Sequence, residues 1–273
     1  NSLLTEKFAE GSEGKKIQDL YGTYMNMDKR NADGINPIKG DLAKIDGIKS
    51  VSDLQNYLIE ATKNGENPFY AWGIDADLKD SKMNAVYLGN ASLGMGRDYY
   101  QKDNPKNAEA MAEYTKYVAS MLDVLGYKNS SATAQNIVKF EKSIAKTYLT
   151  NEQIRDATLQ YNPKTMTELS ALVKNVNLPK YLAAVGVKTD KEIVGEINDY
   201  KNLDQLINQK NLPLIKDYMK FHLLSGSASY LSKNLDEQKF NFYGKYLRGQ
   251  QEQRAQNKRG FELINGVVGE AFG

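Results

Sequence analysis

A chain of 273 residues, 41% hydrophobic and 26% charged, has enough apolar side chains for the core of one large domain or two small ones. Thirty-six Lys plus Arg against 34 Asp plus Glu leave a net charge of +2, so no overall field draws it to nucleic acid, and its apolar runs fall well short of the ~20 residues that span a bilayer. With no cysteine and a single histidine, His222, the chain lacks a thiol nucleophile, a Cys-ligated zinc site and any site with two histidine ligands, so catalysis by this segment alone would rest on carboxylates.

In chain order, Ser52 with Gln55 has the spacing of a cap and its third helical residue, which predicts a helix start. Between Pro68 and Ser92, the runs 69–74 and 85–88 flank a polar stretch and predict a small antiparallel hairpin. Asp75, Asp77 and Asp80 within it suggest calcium. An EF-hand loop would also need an oxygen ligand at 79, glycine at 80 and glutamate at 86, where the chain has Lys79, Asp80 and Val86, so a solvated turn is expected.

From Asn107 to Leu125, positions Ala108, Met111, Ala112, Thr115, Val118, Ala119, Leu122 and Leu125 recur at three- and four-residue steps, predicting a helix ended by Gly126. A second helix is predicted over 132–149, with Ile137, Val138, Ile144, Ala145 and Tyr148 inward, antiparallel to the first across a short turn. Glu141 falls on the inner face. A buried carboxylate needs an opposite charge or several donors, so it is expected to be ionised and paired with an arginine, Arg155 first and Arg97 second, rather than to act as a general acid.

Thr165 with Glu168 predicts another capped start, and further helices are expected after Leu203, Leu212 and Asp236. His222 lies among residues of an inner helix face and is expected to be packed and hydrogen-bonded. The 18 tyrosines are expected to be core residues with hydrogen-bonded tips rather than a ligand groove. The segment 250–272 is amphipathic through Phe261, Ile264, Val268 and Phe272, but Gly260, Gly266 and Gly269 each weaken it, so it needs a partner surface to stay helical. Without repeats or long linkers, the fold class expected is mainly α: a single multi-helix lobe, 1–273, with one small β-hairpin at about 68–92.

Three separated motifs resemble a known family. Ser92-Leu93-Gly94-Met95-Gly96-Arg97-Asp98-Tyr99-Tyr100 is similar to the LGLPxRDYY segment of the neprilysin and endothelin-converting enzyme family, with Met95-Gly96 in place of Leu-Pro. Phe140-Glu141-Lys142-Ser143-Ile144-Ala145, then Arg155-Asp156 and Tyr161-Asn162-Pro163 with Thr165, resembles its LEKxIA, RD and YNxMT elements. Phe242-Tyr243-Gly244-Lys245, Glu252-Gln253-Arg254, Lys258-Arg259 and the run 265–273 resemble the FYGK, EQR, KR and VNxxLGEALG elements of the bacterial oligopeptidase O branch.

This resemblance implies the helical N-terminal lobe of a zinc metalloendopeptidase that cleaves oligopeptides. Such a lobe faces the protein's own C-terminal catalytic domain and walls an enclosed substrate cavity. The family's zinc is held by HExxH and a later glutamate, which this chain lacks, so no catalytic, cofactor or metal residue is carried over and the chain alone is expected to be inactive. Glu141, Arg155, Arg97 and Asp98 are carried as structural residues, and 250–273 as the lead into the catalytic domain. The alternative is a freestanding helical module that binds peptides or a partner protein without hydrolysis. An extracytoplasmic or envelope location is expected, with the cytoplasm as the alternative.

Overall fold

The computed structural model describes residues 6–268. In chain order the helices are α1 (Glu13–Met25), α2 (Met27–Asp33), α3 (Lys39–Asp46), α4 (Val51–Lys63), α5 (Arg97–Gln101), α6 (Pro105–Val124), α7 (Ser130–Ala145), α8 (Met166–Leu172), α9 (Leu178–Ala184), α10 (Ile197–Leu206), α11 (Leu212–Ser227), α12 (Lys233–Lys239) and α13 (Gln256–Val268). A π-helical stretch covers Phe240–Leu247. Four strands join them: β1 (Trp72–Asp77), β2 (Asp80–Leu88), β3 (Asn162–Thr165) and β4 (Lys191–Val194). The fold is predominantly α, as its periodicity requires. Where one continuous helical domain is expected, the chain forms two compact units, Asp41–Leu224 and a smaller one built from both ends, Asn1–Gly40 with Ser225–Gly273.

In the larger unit, β1 and β2 pair antiparallel with Trp72 opposite Leu88 and Asp75 opposite Ala85, the hairpin expected from the sequence. The hairpin is half of a mixed sheet of order β1-β2-β4-β3, in which β4 runs parallel to β2 and β3 antiparallel to β4. Pro163 fits in β3 because an edge strand needs no donor on its outer side. Asp77, from the acidic turn, is tied into this sheet rather than offered to a cation. Its carboxylate accepts from Lys79 N at 2.8 Å, Tyr161 Oη at 2.8 Å and Lys191 Nζ at 3.0 Å. The Lys79 N–H, then the hydrogen bonds of Lys191 and Tyr161, hold it at a pKa of about 2.

Helices α6 and α7 pack antiparallel: Ser130 Oγ donates to Asp123 beside the turn, while Tyr114 and Glu141 meet two to three turns away. Gly126, at φ 81°, ends the first helix as expected. The buried face of α6 is turned from the expected one. It runs through Ala110, Tyr114, Tyr117, Val118, Met121 and Leu122, while Ala108 and Ala112 are exposed. Two tyrosine rings bury far more area than two alanines, and they set the face. On α7, Ile137, Val138, Glu141, Ile144 and Ala145 are all buried as read.

Caps follow local chemistry. Thr165 and Glu168 exchange hydrogen bonds as expected, but α4 starts two residues earlier than Ser52. Ser50 and Asp53 form its box, and the Asp53 carboxylate accepts from Ser50 N and Lys49 N. The helices expected after Leu203 and Asp236 begin earlier, at Ile197 and Lys233; the one at Leu212 begins there.

The smaller unit is held by two arginines. Arg30, buried, donates through Nε to Leu231 O at 2.8 Å, through Nη1 to Tyr24 O at 2.9 Å and through Nη2 to Ser229 O at 2.7 Å. Arg259 Nη1 lies 3.0 and 2.8 Å from the two oxygens of buried Asp236, and Gln253 Nε2 donates to the same carboxylate at 3.0 Å. The glycine-weakened last helix has its partner surface in α1: the Tyr21 and Phe261 rings are 5.2 Å apart, and a Cβ on Gly260 would lie 2.8 Å from Tyr21 Cε2. Gly260 is therefore a packing residue. Phe272, Gly269 and the motif end 269–273 lie outside the described residues.

Asp199 and Glu192 are buried in the larger unit, with no ion pair among the described residues. Burial, reinforced by the charge of Glu196, pushes Asp199 up to about 8, and burial pushes Glu192 up to about 7. The folded chain thus keeps protons that the unfolded chain releases near pH 4. Stability is highest below the unfolded values and falls as pH rises toward 7–8. Urea denaturation between pH 5 and 8 should show this fall, and Asp199→Asn should flatten it; an equally steep slope in the variant would exclude Asp199 as its source.

Candidate functional site

The first motif is threaded through the centre of the larger unit. Three tyrosines fix its approach: Tyr200 Oη donates to Gly89 O at 2.7 Å, Tyr148 Oη to Ala91 O at 2.7 Å and Tyr218 Oη to Ser92 O at 2.5 Å. Burial raises all three phenols above their ordinary range, which keeps them donors. At Gly94 the chain passes under Tyr114, and a Cβ there would fall 1.7 Å from the phenol oxygen. Only glycine leaves room for that hydroxyl to continue to α7.

There it meets Glu141, whose side chain is fully buried. Tyr114 Oη donates to Oε1 at 3.0 Å, Tyr100 Oη donates to Oε2 at 2.6 Å, and His222 Nε2 lies 2.7 Å from Oε1. Tyr100 Oη also accepts from Met95 N at 3.2 Å, so the first motif closes on itself through the same phenol. Four helices, α5, α6, α7 and α11, converge on one carboxylate. Its partners are two phenols and an imidazole, and the expectation of an arginine is corrected. Short donors already packed around the helix satisfied the carboxylate without bringing in a guanidinium.

The two arginines are elsewhere. Arg97, at the start of α5, pairs through Nη1 with Glu196 Oε1 at 2.8 Å and donates to Leu149 O at 2.5 Å, while Leu149 N donates to Glu196 Oε2. Its guanidinium lies 5.2 Å from the Tyr148 ring centroid. This closes a clamp between the first motif and the loop after α7. Arg155, exposed in a short 3-10 turn, has no ion pair among the described residues. Asp98 lies in the first turn of α5, near Lys102 Nζ at 3.4 Å, and its carbonyl accepts from Asn107 Nδ2 at 2.9 Å. His222 is packed as expected, with its ring centroid 4.4 Å from that of Tyr218. Tyr100, the last residue of the first motif, and Tyr114 on α6 are partners that spacing along a single helix does not reveal.

This arrangement positions and does not react: the carboxylate's oxygens are taken up by donors and no substrate atom can reach it. No group of three or more His, Cys, Asp or Glu side chains placed to hold a metal ion occurs among the described residues. Glu141→Ala would strand two phenols and an imidazole and should destabilise by about 3–5 kcal/mol. Gly94→Ala should destabilise strongly, whereas Gly22→Ala, in an open mid-helix position, should gain up to ~1 kcal/mol. Chemical denaturation of the three variants reads these differences, and an unchanged midpoint for Glu141→Ala would remove it from its central place.

The family model for the N-terminal part of peptidase family M13 matches residues 1–273. A neutral endopeptidase of Lactobacillus helveticus is 27% identical over 98% of this chain and 42% of its own length. Endothelin-converting enzyme 1 of Rattus norvegicus is 26% identical over 86% of this chain and 33% of its own. Among solved structures, the zinc metalloprotease ZMP1 of Mycobacterium tuberculosis in its open state superposes with a TM-score of 0.91 at 24% identity, over 99% of this chain and 43% of that one. PEPO from Lactobacillus rhamnosis HN001 superposes with a TM-score of 0.86 at 19% identity, over 100% of this chain and 44% of that one. These structures share the fold, and the chain spans less than half the length of the relatives it matches. Matched along its whole length, with the LG-RDYY and EK-IA motifs joined in one buried cluster, the chain belongs to peptidase family M13, of which it represents the N-terminal part.

Proposed function

We propose that this chain is the non-catalytic helical part of a zinc metalloendopeptidase that cleaves oligopeptides, where it forms part of the wall of an enclosed substrate cavity opposite a C-terminal catalytic domain of the same polypeptide. One observation carries the reading: the family match runs the length of the chain, yet the chain covers 42% of the Lactobacillus helveticus neutral endopeptidase and its described residues hold no metal-binding cluster. The names of the relatives, neutral endopeptidase, endothelin-converting enzyme and zinc metalloprotease, supply the activity and the metal.

A wall must exclude substrates by shape, and shape requires rigidity. The Glu141 cluster, the tyrosine strap over 89–92 and the Arg97–Glu196 clamp support that role, since each ties segments distant in sequence by buried hydrogen bonds. The cavity would admit short, extended peptides and refuse folded proteins. An extracytoplasmic or envelope setting belongs to the same proposal; no described helix is long and apolar enough to cross a membrane.

The test compares the chain with a longer polypeptide that continues into an HExxH segment, using peptides of graded length and a folded protein. The chain alone, supplied with zinc, should cleave nothing. The longer protein should cleave short peptides, lose activity with chelator and spare the folded protein. Chelator-sensitive hydrolysis by the chain alone, or peptide binding without hydrolysis by the longer protein, would refute the reading.

A further inference from the structure

A groove of about 650 Å³ opens on the larger unit beside α7, lined by Tyr100, Gln101, Lys139, Lys142, Ser143, Lys146, Tyr148 and Thr150. Its volume falls within the range of ligand sites. The three lysines follow one another at three- and four-residue steps, so their ammonium groups share one face of the helix. None has an ion pair or a side-chain hydrogen bond among the described residues. Several other helical lysines are paired along their own helix. Lys44 pairs with Asp41, Lys63 with Glu60, Lys116 with Glu113 and Lys29 with Asp33, all at the same helical spacings.

Like charges at this spacing repel slightly, while Lys142 in the last turn and Lys146 at the C-cap interact favourably with the helix dipole, so the mutual repulsion is tolerated. The array is not needed to cap the helix. Gln101 Nε2 donates to Ala145 O at 3.3 Å and to Tyr148 O at 2.7 Å, and Asn202 Nδ2 donates to Ser143 O at 2.8 Å. The nearby carboxylates are engaged with other cations: Asp98 and Glu152 with Lys102, and Glu196 with Arg97. The groove therefore carries positive charge without a counter-charge.

We propose that this groove binds the carboxylate groups of an acidic oligopeptide. From Lys139 to Lys146 the helix advances roughly 10 Å, too long for a single small anion to bridge and about the span of three to four residues of an extended chain at ~3.3 Å each. That the carboxylates belong to a peptide rests on the peptidase reading above; the cationic groove itself does not.

The probe is a fluorescein-labelled hexapeptide rich in glutamate, titrated with the 273-residue chain at low ionic strength and followed by anisotropy, beside the same peptide with Gln for Glu. The acidic peptide should bind and the Gln peptide should not. The triple variant Lys139→Gln, Lys142→Gln, Lys146→Gln should weaken binding about tenfold or more, and the triple Arg variant should retain it. All three positions are exposed, so the variants are expected to fold, which circular dichroism checks. Equal binding by the triple Gln variant, or displacement of the peptide by inorganic phosphate at the peptide's own concentration, would reduce the lysines to an ordinary solvated helix face. Binding is read without hydrolysis, so inactivity of a longer protein would count against the peptidase reading and leave this result standing.

Discussion

The larger unit depends on one carboxylate shut away from water. A carboxyl group in such a place is tolerable only if hydrogen-bond partners replace the lost hydration, and Glu141 finds them in Tyr100 on α5, Tyr114 on α6 and His222 on α11. Each donor must be held at hydrogen-bond distance. That need fixes the positions of four helices at once and explains residues that otherwise look arbitrary. Gly94 is bare because Tyr114 crosses it, and Met95 presents its N–H to the phenol that serves Glu141.

Other buried carboxylates of the larger unit show what a supply of donors achieves. Asp77 collects three donors, and its own pKa lies low, at about 2. Asp199 and Glu192 receive no ion-pair partner and are pushed up to about 8 and about 7 by burial. Burial is common to these groups, so the donors separate them. Asp77 thus stays charged while Asp199 and Glu192 hold their protons, and these two make stability fall as pH rises from about 4 toward 7–8.

Much of this was legible in the sequence, and the failures have physical causes. The α6–α7 pair, the hairpin, the burial of Glu141 and the stop at Gly126 follow from periodicity and turn chemistry. The buried face of α6 is turned from the one its small apolar residues mark, because the rings of Tyr114 and Tyr117 set the buried surface. Strands β3 and β4 have four residues each and no alternation to announce them; only pairing with a hairpin distant in sequence makes them strands. The partner of Glu141 was misassigned for the same reason. An arginine is the commoner companion of a buried carboxylate, but which donors reach it is decided by packing between helices and not by spacing along one.

The smaller unit solves the same problem with the signs reversed. Arg30 is a buried cation with no ion pair among the described residues, and it spreads its charge over three main-chain carbonyls, each the end of a peptide dipole. Those carbonyls come from segments about two hundred residues apart in sequence, so one guanidinium joins the two ends of the chain. Asp236 then draws Gln253 and Arg259 to itself, which gives the third motif its physical content. In both units some of the motif residues, Tyr100 in one and Gln253 and Arg259 in the other, therefore serve a buried carboxyl group. The one histidine of the chain is taken up in the same way, by the Glu141 carboxyl group.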